Sequence, residues 1–159
     1  MKIAVPADLT HSVEEVESFF VKHTGTKFDE NNKYWIVLSE EAYFHKVVYE
    51  VLKNRLKLKG SFDTDTHFAD AFFNWKECFQ KHENIGLFSE RTLLQIYVKN
   101  GKPGSKGGAF LSELNMNEHE NIYVLVHLPR LDFASKNSKW FRALAQNGNC
   151  IEFGNDGSA

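Results

Sequence analysis

The sequence predicts an α/β fold, a mainly parallel sheet flanked by helices, and three observations carry that expectation. Segments YWIVL (34–38), RTLLQIYV (91–98) and IYVLVHL (122–128) are apolar almost throughout instead of alternating, as strands covered on both faces are. Stretches with apolar residues at helical spacing separate them. With 159 residues, 42% hydrophobic and 25% charged, the chain fits one globular domain, which at this size buries roughly two-thirds of its unfolded surface. Fourteen Phe, five Tyr and three Trp supply the core.

Residues 10–24 predict a helix with a capping box, Ser12 followed by Glu15, and an apolar set Val13, Val16, Phe19 and Phe20. After the 34–38 strand, residues 42–58 repeat Tyr43, Val47, Val51 and Phe44, Val48, Leu52 at helical spacing, and Gly60 terminates them. Residues 61–67 alternate and predict a short edge strand with Asp63, Asp65 and His67 on one side. Phe68, Ala71, Phe72, Trp75 and Phe79 then predict a helix over 68–82. The stretch Glu83-Asn84-Ile85-Gly86-Leu87-Phe88-Ser89 sets large apolar residues beside a glycine at a helix-to-strand junction, where a polar turn is usual. Its Ile85, Leu87 and Phe88 point either into the core or towards a partner.

Beyond the 91–98 strand, NGKPGSKGG (100–108) reads as a loop, followed by a short helix over 109–115. The 122–128 strand, a helix over 135–146 and a last strand CIEF (150–153) complete the domain, which spans 1–153, while 154–159 reads as a linker or an appended end.

The formal net charge of −2 does not demand nucleic acid or an anionic membrane. Cys78 and Cys150 lie far apart without metal-type spacing and read as reduced thiols, so the expected compartment is the cytoplasm. No apolar run of about 18 residues spans a bilayer, and the start, MKIAVP, is too short in its apolar part for a secretory signal.

In an open α/β sheet, ligands sit at the carboxyl ends of strands, so the turn after Leu38 is where a phosphate cradle belongs. It reads Ser39-Glu40-Glu41-Ala42-Tyr43-Phe44-His45-Lys46, without a glycine for close approach and with two carboxylates at the helix start. Those charges suit the helix dipole and repel a phosphate. Lys102, Lys106 and the amides of the glycine-rich loop form a weaker anion candidate that lacks the GxxxxGK[ST] spacing. Asp63, Asp65 and His67 supply oxygen and imidazole donors for a divalent metal, although an exposed edge strand explains the same letters. His119, between Glu118 and Glu120, reads as solvated. Arg130, Lys136, Lys139 and Arg142 surround a helix whose buried face is Trp140, Phe141 and Leu144.

The block IYVLVHLPRLDFASKNSKWFRALAQNGNCIEF, through Leu131, Ser138, Lys139, Trp140, Phe141 and Leu144, resembles the bacterial DNA polymerase III delta subunit, the clamp-opening member of the clamp loader. WIVLSEEAYFHKVVY (35–49) is similar to that family's first strand and helix, with Ser39 where glycine is usual, and the segment from Ile85 to Leu94 is similar to its clamp-binding segment and the strand behind it. The resemblance covers roughly residues 30–153, the family's first domain; its helical lid and collar domains are absent from this sequence. It implies a RecA-like AAA+-type domain with a degenerate nucleotide site, no cofactor and no catalytic activity of its own, working within the DNA polymerase III holoenzyme. It further implies that Ile85, Leu87 and Phe88, supported by Glu83, Asn84 and Gly86, bind the beta sliding clamp. The other implied partners are the gamma/tau and delta prime subunits, with DNA reached indirectly and no membrane. The alternative is a stand-alone α/β enzyme acting on a phosphorylated or nucleotide ligand.

Overall fold

The computed structural model describes residues 2–5, 18, 22, 33–83 and 91–155. The helix expected over 10–24 and the apolar segment Asn84, Ile85, Gly86, Leu87 and Phe88 lie outside the described residues, apart from helical, exposed Ser18 and Lys22. The strands are β1 (Lys2–Val5), β2 (Tyr34–Leu38), β3 (Phe62–Phe68), β4 (Arg91–Tyr97), β5 (Ile122–Leu128) and β6 (Asn149–Asn155). The helices are α1 (Ala42–Lys57), α2 (Trp75–Glu83), α3 (Gly104–Glu113), α4 (Phe133–Lys136) and α5 (Lys139–Asn147), with a 3-10 turn at Met116–Glu118.

The six strands form one sheet in the order β1-β6-β2-β5-β4-β3, and every pairing is parallel. The architecture is α/β with flanking helices, consistent with a RecA-like fold. From β2 the chain crosses to the far edge at β3, then returns through β4 and β5 and passes β2 to reach β6. A crossover between parallel strands has one hand, so reversing the direction of travel moves the helix to the other face. Accordingly α1 packs on one face with Trp35, Val37, Leu93, Leu125 and Ile151. Helices α2, α3 and α5 pack on the opposite face with Tyr34, Ile36, Leu38, Leu94, Ile96 and Val126. Travel reverses between the neighbours β2 and β5, which opens a crevice at their carboxyl ends.

Several expected elements differ from those found. Strand β1, absent from the sequence expectation, occupies one edge and pairs with β6 from Lys2↔Glu152 to Val5↔Asn155. The helix expected over 68–82 begins only at Trp75, with Phe68 ending β3 and Phe72 lying 92% exposed. Asp70 Oδ1 accepts from the Phe72 amide at 2.8 Å and Asn74 Oδ1 accepts from the Glu77 amide at 3.0 Å, so two turn-forming side chains delay the helix. The helix expected over 135–146 is divided into α4 and α5, because Ser138 leaves the helical conformation and its hydroxyl accepts from the Phe141 amide.

The glycine-rich loop is also shorter than expected. Gly101 (φ +69°) and Gly104 (φ +80°) shape a turn, and from Gly104 onward the chain is α3. A Cβ at Gly107 would stand 2.7 Å from Trp75 Nε1, so the residue that weakens the helix locally is what lets α3 approach α2.

Candidate functional site

The crevice at the switch of strand direction is a cleft of about 350 Å³ lined by residues that include Ser39, Glu40, His45, Tyr97, Lys99 and His127. Its floor is set by the registers of three strands. Thr66 pairs with Gln95, and Tyr97 pairs with His127, which puts these side chains on the α1 face at the carboxyl ends of β3, β4 and β5. His45, in the first turn of α1, completes the row.

The row is a continuous polar chain. His45 Nε2 lies 2.8 Å from the Ser39 carbonyl oxygen, and the Nδ1 atoms of His45 and His127 are 2.9 Å apart. His127 Nε2 lies 2.8 Å from Gln95 Oε1, and Gln95 Nε2 donates to Thr66 Oγ1 at 3.3 Å. A carbonyl only accepts, so His45 carries its proton on Nε2 and a neutral His45 presents a bare Nδ1 to His127. His127 must then donate from Nδ1, which leaves a bare Nε2 opposite Gln95 Oε1; turning the Gln95 amide over, so that its NH2 faces His127 and its oxygen accepts from the Thr66 hydroxyl, satisfies every group. Burial lowers the pKa of both rings, that of His127 to about 3 with the nearby His45 adding to the effect. For His45, the Ser39 carbonyl and Glu40 partly oppose burial. Both rings are therefore neutral at pH 7, and with the Gln95 amide so turned the hydrogen bonds run one way, Thr66 to Gln95 to His127 to His45 to Ser39. Tyr97 stacks on His127 with ring centroids 4.0 Å apart and planes 8° apart, so the two rings line the cleft together.

This is the turn where the sequence predicts a phosphate cradle without its binding groups. Ser39 Oγ accepts from the Glu41 amide at 3.0 Å and Glu40 Oε1 accepts from the Arg130 amide at 3.2 Å, so amides that could meet a phosphate are already engaged. Glu40 and Glu41 are exposed at the start of α1, where an anionic ligand would have to enter. Of the second anion candidate, Lys102 lies in the turn before α3 and Lys106 in the first turn of α3, both exposed.

On the opposite face of β3, the expected metal trio is rearranged. Asp65 and His67 are joined by His82 of α2, while Asp63 stays outside the group. Asp65 Oδ2 accepts from His67 Nε2 at 2.8 Å and from His82 Nε2 at 2.7 Å. Burial raises the Asp65 carboxyl, but the two imidazole hydrogen bonds and their charge outweigh it and hold the group below its ordinary value. His82 escapes the sequence reading because it is fifteen residues beyond His67 and arrives only when α2 docks on the edge strand. The available signal is its place on the helix that directly follows that strand.

His119, expected to be solvated, is mostly buried: its Nδ1 contacts the Glu83 carboxylate and its ring packs edge-on against Phe79. Glu83, the last residue of α2, is thereby tied to the turn before β5. Lys136 Nζ bonds Glu152 Oε2 at 2.6 Å, and Phe141 and Leu144 are buried as the helical spacing predicts. Cys78 and Cys150 are both thiols, each pushed up to about 11 chiefly by burial. Among the described residues, no helix is long and apolar enough to cross a membrane. No family model matches the chain, and neither does any curated protein.

Proposed function

We propose that this chain is the clamp-binding, clamp-opening domain of the delta subunit of the DNA polymerase III clamp loader, a binding module of DNA replication with no catalytic activity of its own. The observation that carries the reading is the turn after β2. A parallel sheet of this strand order offers its switch point to a phosphate, yet here two exposed carboxylates and a closed histidine row occupy it. The finer fold assignment, an AAA+-type domain with a degenerate nucleotide site, belongs to the same proposal.

Binding falls to Ile85, Leu87 and Phe88, with Glu83, Asn84 and Gly86 in support. They follow directly on α2, whose last residue is held by His119. Apolar anchors of this kind dominate interfaces. A domain that docks better on a sprung ring than on a closed one shifts the ring towards opening by that difference in affinity alone. Nucleotide hydrolysis then falls to the gamma/tau subunits of the loader, with delta prime and DNA engaged through the complex.

The test is a titration of this chain against the beta sliding clamp. Each buried anchor contributes about 1.5–3 kcal/mol, so Leu87→Ala combined with Phe88→Ala weakens binding by about 100-fold or more, with unchanged circular dichroism. Equal binding by the double variant removes the site assignment. A wild-type chain that ignores the clamp and binds nucleotide instead would favour the alternative, an α/β enzyme acting on a phosphorylated ligand.

A further inference from the structure

We propose that Asp65, His67 and His82 form a binding site for a borderline divalent transition ion of the Zn2+ type, which pins the last turn of α2 to the edge strand β3. The two imidazole Nε2 atoms converge on one carboxylate oxygen, at 2.8 and 2.7 Å, and the three candidate ligand atoms all lie within 4.8 Å of one another. Two nitrogens and one carboxylate oxygen are the donor set that suits Zn2+ and its transition-metal neighbours, whereas Mg2+ and Ca2+ select oxygen. The strand and helix fix the donors independently: residues 65 and 67 project together by strand alternation, and His82 comes from the final turn of the helix above them.

Access and charge agree with this assignment. The Asp65 and His67 side chains are each 27% exposed and His82 is 9% exposed, so an ion can enter from solvent and keep water in its remaining positions. Without metal, each imidazole donates from Nε2, and the second nitrogen of His82, Nδ1, is buried without a hydrogen-bond partner. Ligation through Nε2 moves the His82 proton to Nδ1, where it still lacks an acceptor. That missing outer contact weakens the site by about 10–100-fold relative to one whose ligand histidines are held by a second hydrogen bond.

Untagged protein is titrated calorimetrically with Zn2+, and its Co2+ form is read by visible absorption. The expected result is one equivalent bound, a raised melting midpoint, and affinity reduced at least tenfold in both His82→Gln and His67→Gln. Asp63→Asn, on the same strand but outside the trio, binds as the wild type does. Melting midpoints taken without metal identify a variant that fails to fold, and half-exposed His67 keeps the test open if His82→Gln does. The proposal is overturned if no saturable single equivalent binds, or if a folded His67→Gln protein binds Zn2+ and Co2+ like the wild type.

Discussion

Two pairs of histidines sit on opposite faces of the same sheet, and their surroundings send them to different chemistry. His45 and His127 lie on the α1 face, buried, with only neutral groups in direct contact, so burial lowers both pKa values and their hydrogen bonds run in one direction. His67 and His82 lie on the α2 face around the Asp65 carboxylate, where their hydrogen bonds and charge outweigh its burial and hold it below its ordinary value. A buried imidazole without a counter-charge is a structural dipole. An imidazole beside a half-exposed carboxylate is a donor that an incoming cation can recruit.

The comparison breaks most sharply at His127. Replacing it with Ala removes a ring that is 2% exposed and strands Gln95 and His45 at once. The expected loss is about 3–5 kcal/mol, read from the denaturant midpoint; a loss within the range of a surface substitution would mean that the row does not hold the crevice together.

The next effect is pH dependence. The unfolded rings take up protons as pH falls through their ordinary value of 6.5, whereas folded His127 does so only near 3. The unfolded state therefore binds more protons in this window, and stability, fully present above pH 6.5, falls as pH drops from there. Measurements between pH 6.5 and 4.5 stay above the range of the lowered Asp65 carboxyl, whose stabilising contribution is lost below its ordinary value of 3.8. His127→Phe, which fills the space without titrating, flattens the slope in that interval. An unchanged slope would assign the dependence to other groups.

The smallest effect belongs to the other face. Asp65→Asn keeps an acceptor and alters a site already open to water, so stability shifts by about 1 kcal/mol or less. A loss as large as that at His127 would erase the distinction between the two faces.

The sheet was legible in the sequence because strands buried on both faces leave apolar runs with no helical reading, and β2, β4 and β5 fall where those runs do. Strand β1 was not, since four residues, KIAV, carry too little pattern to mark a strand. The start of α2 was obscured because Phe68, Ala71 and Phe72 sit at helical intervals by coincidence while Asp70 and Asn74 hold a turn. The glycines of α3 spoke for a loop, and packing against Trp75 overrode them. Of the crevice, the forbidding turn at Glu40 and Glu41 was readable. The histidine row was not, because His45 and His127 are 82 residues apart and meet only through sheet order.

The placement of β1 bears on how the chain matures. Among the described residues its one sheet neighbour is β6, about 150 residues later in the sequence. During synthesis the segment Lys2–Val5 emerges long before the residues that make β6. Closing so long a loop costs more entropy than joining near neighbours, so pairing at this edge adds a slow, long-range step to folding.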